Sequence, residues 1–117
     1  MTPQELRRRL AVFARDAEAF SRPLLDSLVT RDASLQLRRA ASGAAANHRA
    51  AGRGRSRAEF VSKLTTSLEE ADEALHWLEY FRDCGLASNP ALLAEASELV
   101  AILTRSVDTA RGRGTAR

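Results

Sequence analysis

Residues 51–85 read AGRGRSRAEFVSKLTTSLEEADEALHWLEYFRDCG. This stretch decides the fold. Two glycines break the chain at Gly52 and Gly54, and Ser56-Arg57-Ala58-Glu59 then matches a capping box just ahead of an apolar run, a specific signal for a helix start. The run continues to about Cys84, where Gly85 supplies a C-terminal stop. Phe60, Leu64, Leu68, Ala71, Leu75 and Leu78 form its apolar stripe at helical spacing. A helix of this length, bracketed by glycine turns, needs helical neighbours to bury that stripe.

Neighbours are found on both sides. Upstream, Leu6, Leu10, Phe13, Ala17 and Phe20 recur at steps of four and three. Thr2, Pro3 and Glu5 provide an N-cap, a first-position proline and a capping box, and Pro23 ends this first helix near Ser21. The second helix is expected from about Asp26 to Ala50. Leu28, Leu35 and Ala46 fall on one side of it; Ala33, Leu37, Ala40 and Ala44 fall on nearly the opposite side. Two faces of small residues suit a central helix, and Gly43 within it costs about 1 kcal/mol of helix propensity that close packing would offset. Downstream, Asn89-Pro90 opens a fourth helix with the stripe Leu92, Ala96, Leu99, Val100, Leu103 and Val107.

Composition agrees. The chain has 117 residues, which predicts one domain. Of its apolar residues 22 are Ala and 16 are Leu, against 6 Val and Ile together; Ala and Leu favour helices, and a sheet would want the β-branched residues. The expected fold is all-α, an antiparallel up-down-up-down four-helix bundle over residues 1–110, followed by a disordered basic tail at 111–117.

Charge is distributed unevenly. The net charge is +3, but residues 31–63 carry eight bases against two acids, and residues 64–108 carry two bases against nine acids. Arg38 and Arg39 lie on the second helix; Arg49, Arg53, Arg55 and Arg57 span the turn into the third, and Lys63 follows. Cations oppose the dipole at a helix start, so helix stability alone does not account for this cluster. Two readings stand. In one, these seven residues meet nucleic-acid phosphates. In the other, they pair with Glu59, Glu69, Glu70 or Asp72, within the chain or across subunits. No aromatic lies between residues 21 and 59, so binding here would follow the backbone with little sequence preference.

Other features yield less. Glu73-Ala74-Leu75-His76 has the Glu-x-x-His spacing of di-iron bundles, but His48 lacks a matching Glu and Glu73 sits opposite its own helix's stripe, so no metal and no cofactor is expected. Gly52–Ser56 lacks the spacing and the lysine of a phosphate-binding loop. No nucleophile arrangement stands out, and no enzyme is expected. Cys84 is the only cysteine; it excludes an internal disulfide, is expected to be packed near its helix end, and suits a reducing cytoplasm. The longest charge-free stretch, 84–94, contains Pro90, so no membrane span is expected, and Leu10–Ala14 is too short for a signal-peptide core. Trp77, Tyr80 and Phe81 fall roughly 100–160° from the third helix's stripe on a wheel of 100° per residue. An exposed aromatic cluster there calls for a cover: a loop, the fourth helix wrapping round, or another subunit, the last of which makes Trp77, Tyr80 and Phe81 an oligomer interface.

The chain also carries an ordered set of short motifs: Gln36-Leu37-Arg38-Arg39-Ala40-Ala41, Ala46-Asn47-His48-Arg49-Ala50-Ala51, Arg53-Gly54-Arg55-Ser56-Arg57-Ala58-Glu59-Phe60, Lys63-Leu64, Glu69-Glu70-Ala71-Asp72-Glu73 and Trp77-Leu78-Glu79. In this order they resemble the bacterial four-helix bundle proteins first noticed in intervening sequences of large-subunit ribosomal RNA genes. Where that family commonly reads Asn-Ile-Ala-Glu-Gly, this chain has Asn47-His48-Arg49-Ala50-Ala51, losing an acid and gaining Arg49. The resemblance implies an antiparallel four-helix bundle assembled as a homopentamer, with no known enzymatic activity. A similar family, the accessory variability determinants of diversity-generating retroelements, implies a basic pentamer whose partners are RNA or DNA and a reverse transcriptase.

Overall fold

The computed structural model describes residues 1–112. Four helices account for most of them: α1 (Pro3–Ser21), α2 (Arg31–Ala51), α3 (Arg57–Asp83) and α4 (Pro90–Ala110), with a short 3-10 helix at Arg22–Asp26 between the first two. The helices run antiparallel in sequence order, α1 against α2, α2 against α3 and α3 against α4. The ring closes weakly, because α1 and α4 meet over a short distance only. Among the described residues no helix is long and apolar enough to cross a membrane. The expected disorder at 113–117 lies outside the described residues.

Local sequence sets three of the helix starts. Thr2 Oγ1 accepts from the Glu5 amide at 3.1 Å, and Glu5 Oε1 accepts from the Thr2 amide at 2.6 Å, a complete capping box. Asn89 caps α4 through the Leu92 amide at 3.0 Å. At α3 only half of the expected box forms. Ser56 Oγ accepts from the Glu59 amide at 3.0 Å, while the Glu59 carboxylate reaches one residue further back, to the Arg55 amide at 2.6 Å. At the far end of α3, Gly85 takes φ +70, and amides of Gly85 and Leu86 bond to the carbonyls of Arg82 and Phe81. This is a Schellman closure, which needs a residue without a Cβ at that φ.

Helix α2 begins five residues later than the periodicity predicts. Pro23 sets a 3-10 turn, and two hydroxyls then hold the chain out of the helix. Ser27 Oγ accepts from the Val29 amide at 3.2 Å, and Thr30 Oγ1 donates to the Leu24 carbonyl at 2.5 Å. Side-chain bonds of this kind compete with helical ones. Leu28 and Val29 are consequently on a loop, 85% and 70% exposed. The expected face of Leu28, Leu35 and Ala46 does not exist as a buried surface; Ala33, Leu37, Ala40 and Ala44 on the other face are buried as expected.

The α3 core stripe also differs from the expected one. Leu64, Ser67, Ala71, Ala74, Leu78 and Phe81 are buried, while Phe60, Leu68 and Leu75 are partly buried beside them. Steps of three and four repeat strictly along this stripe, a seven-residue period. On an ideal 3.6-residue wheel such a stripe drifts about 20° per heptad, so a residue at its end looks misplaced. Phe81 is that residue. It is 0% exposed, with its ring edge-on to Phe20 of α1 at 5.9 Å.

Two substitutions probe this packing. Phe81→Ala is expected to lower unfolding free energy by about 3–5 kcal/mol in urea denaturation, the usual cost of emptying a fully buried phenylalanine site; a loss below about 1 kcal/mol contradicts the core placement. Gly43→Ala is expected to have the opposite sign. A Cβ at Gly43 would lie 2.8 Å from Glu70 Oε2 and meets only that flexible carboxyl, not backbone. Burial and the neighbouring charges of Glu73 and Glu69 hold the Glu70 pKa above its ordinary value, so moving the carboxylate outward relieves it. The helix propensity gained then shows as up to about 1 kcal/mol of added stability, and a net loss contradicts this account.

Candidate nucleic-acid interface

The end of the bundle where α2 hands over to α3 gathers most of the predicted cations. Helix α2 delivers Arg49 on its last turn. The turn at 52–56 carries Arg53 and Arg55, and the first turns of α3 deliver Lys63. These four, with Ala46, Ala50 and Glu59, line a shallow depression of about 390 Å³. Its floor is two alanine methyls, so the cationic heads stand around it without crowding. Arg39 precedes Ala50 by eleven residues, three helical turns, and leaves α2 from the same face about 16 Å up the axis.

The acids named as alternative partners engage few of these cations. Arg55 Nε lies 3.8 Å from Glu59 Oε1, but its side chain is 91% exposed, and such a pair contributes little. Arg38 approaches Glu18 of α1 at 3.9 Å. The side chains of Arg39, Arg49, Arg53 and Lys63 have no hydrogen bond or ion pair among the described residues, and neither Glu69, Glu70 nor Asp72 reaches them. Glu59 is held by the backbone of the turn, which leaves its charge beside the cations but its oxygens partly used.

Arg57 does not join this group. Placed at the first helical position of α3, it turns toward α4 and donates to the Ala110 carbonyl, one of the acceptors left open at that helix's end. The seven predicted cations thus separate into a cluster of four, an outlier on the same face (Arg39), one paired to α1 (Arg38) and one facing α4 (Arg57).

The aromatic residues assigned to an interface fare differently from one another. Phe81 is entirely within the core, so its assignment to a subunit contact is corrected: it is already covered inside the bundle, with Phe20 of α1 against its ring. Trp77 is half-buried against the core, and its indole N–H donates to Glu73 at 3.3 Å. Its ring sits edge-on between His76 at 4.7 Å and Tyr80 at 5.4 Å. Tyr80, 40% exposed, presents the most open edge of the three. Glu73 and His76 lie on this exposed side, and no group of three or more potential ligands gathers among the described residues. Cys84 is exposed rather than packed, because the Schellman turn lifts it off the core.

The chain matches no protein-family profile and no curated protein. Among solved structures it is similar to a Bacteroides thetaiotaomicron protein of unknown function from the S23 ribosomal protein family, with a TM-score of 0.84 and 23% identity over 92% of this chain and 99% of that one. At that identity the likeness establishes the four-helix fold.

His48, next to Arg49 on α2, offers a pH test of this end of the bundle. Burial first, then the charge of Arg7, holds its pKa below the ordinary imidazole value. The unfolded chain therefore takes up this proton first as pH falls, so the folded state loses stability below about pH 6.5 and the loss levels off under the folded pKa. Glu70 acts with the opposite sign in its own acid window, since its pKa is raised. The measure is thus the difference between the parent and His48→Gln in denaturant titrations from neutral pH downward. The variant is expected to retain relatively more stability in mild acid; identical slopes contradict the assignment.

Proposed function

We propose that this protein is a non-enzymatic helical bundle that binds the phosphate backbone of nucleic acid through Arg49, Arg53, Arg55 and Lys63, with Arg39 extending the contact along α2. The observation that carries this reading is the depression at the α2–α3 turn. Four cations surround it, three of them make no ion pair within the described chain, and its small floor leaves their heads accessible. Arginine and lysine left unpaired around one depression attract a polyanion, and their affinity comes from releasing counterions rather than from reading bases. Arg38 and Arg57 fall outside the contact, since Arg38 is directed to Glu18 of α1 and Arg57 turns away from the depression to the end of α4.

We propose also that the chain belongs to the bacterial four-helix bundle family that its motifs resemble, and assembles as a homopentamer as that family does. Support comes from the ordered motifs and from the shared fold of the S23-family neighbour. Five copies of one modest patch would act together on a single polyanion and gain avidity. Tyr80 and Trp77 are the aromatic positions that remain for a subunit contact.

The test is binding of labelled duplex DNA and structured RNA across a salt series. Log affinity is expected to fall linearly with log salt, each phosphate contact contributing a slope of about −0.9 on duplex DNA. Arg49→Ala/Arg53→Ala/Lys63→Ala is expected to flatten the slope by about 2–3 units, and Arg38→Ala to leave it unchanged. Absence of binding at low salt sinks this reading. If a salt-dependent change in molar mass then disappears in the same triple variant, the cations serve contacts between copies instead.

A further inference from the structure

The weak seam between α1 and α4 opens, at the same end of the bundle, into a cleft of about 740 Å³. It is separate from the cationic depression and faces the other way. Part of the seam is closed by Arg9 of α1, whose guanidinium bonds Glu95 at 2.6 Å and also Glu98 of α4. The end of α4 is tied to α3 by Arg57. Between these two ties the positions facing inward include Ala51, Ser106 and Ala110, which are too small to fill the space. Leu6 and Leu64, almost fully buried in the core, and the half-buried Phe60 and Ile102 packed against it line the opening that remains. A void of this size is ample for a small molecule, and it combines apolar side chains with polar and charged ones, as ligand sites do.

The charge at the mouth selects the kind of molecule. Glu98 is already engaged by Arg9. Arg57 has a carbonyl partner and no carboxylate, and the Arg105 side chain has neither hydrogen bond nor ion pair among the described residues. Two guanidinium groups with unused donors thus stand over apolar walls. His48 forms part of the lining as a largely neutral imidazole, its Nδ1 buried and without a partner, so the inner surface adds little charge of its own. Guanidinium forks bind carboxylates through two parallel hydrogen bonds, and do so best where water is partly excluded.

We infer that the α1–α4 cleft binds a small amphipathic carboxylate, its apolar body against Leu6, Phe60, Leu64 and Ile102 and its head on Arg105 and Arg57. This site shares no residue with the proposed phosphate contact and stands or falls independently of it.

Decanoate, kept below its micellar range, is a suitable probe, with decan-1-ol and acetate as controls for each half of the molecule. In an amide-resolved NMR titration of the whole chain, decanoate is expected to shift Gly52, Ser106 and Thr109 in a saturable way. Either control should bind at least about tenfold more weakly, since each lacks one of the two contributions. Arg105→Ala is expected to weaken decanoate by about tenfold, the scale of one lost charge-assisted contact. Ser106→Phe, which fills the cleft without touching a cation, is expected to abolish binding. If that variant does not fold, Arg105→Ala decides alone, because its side chain is outside the core. Non-saturating shifts, shifts centred elsewhere, equal binding of decan-1-ol, or an Arg105→Ala affinity equal to the parent's would each overturn the inference.

Discussion

The close seam between α2 and α3 is the constraint on which the rest of this molecule depends. Ala40, Ala41 and Ala44 of α2 and Ser67, Ala71 and Ala74 of α3 are all buried in one core. Ser67 Oγ donates to the Ala44 carbonyl at 2.7 Å inside it. A hydroxyl bonded to a buried carbonyl contributes about 1 kcal/mol net, but it costs more than that if left unmade, so it fixes the register of the two helices. Small residues on facing stripes let helix axes come to the near end of their usual 8–10 Å separation. With α2 and α3 held so, larger residues are left to the outer seams, where Phe13, Phe20 and Phe81 on one side and Leu99 and Leu103 on the other complete the core.

Two consequences follow at the end where α2 becomes α3. The helices arrive close together, so a turn of only a few residues connects them and every charged residue in that turn is forced outward into one small area. That is why Arg49, Arg53, Arg55 and Lys63 surround a single depression. The second consequence is on the opposite side. Because α2 and α3 form the tight centre, α1 and α4 pack against each other over a short distance only, and Arg9 reaches across that seam to Glu95 and Glu98. The cleft is the space left by that geometry. Basic patch and cleft are therefore two products of one packing arrangement.

Much of this was legible in the chain. Thr2, Ser56 and Asn89 announced three helix starts, because a capping side chain acts within three residues and leaves a local signature. Gly85 announced the end of α3 for the same reason. The start of α2 was not legible: Ser27 and Thr30 compete for backbone groups in a way that periodicity does not register, and Leu28 looked like a core residue on the wheel. Phe81 was misassigned because a stripe with a seven-residue period drifts off a 3.6-residue wheel over a helix of 27 residues. The cationic cluster was visible as a count of arginines, but which of them share a surface was not.

The sequence by itself determined the helical class, the order of elements, most helix ends and the accumulation of positive charge in one stretch. Each of these follows from interactions between residues within a few positions of one another. Tertiary structure alone decided that Arg38 belongs to Glu18, that Arg57 turns to the end of α4, that Phe81 rests on Phe20, and that α1 and α4 leave an apolar opening between them. Those outcomes depend on how far apart non-adjacent helices stand. That distance is set by the summed volumes of side chains across the whole core, a quantity no local stretch of the chain contains.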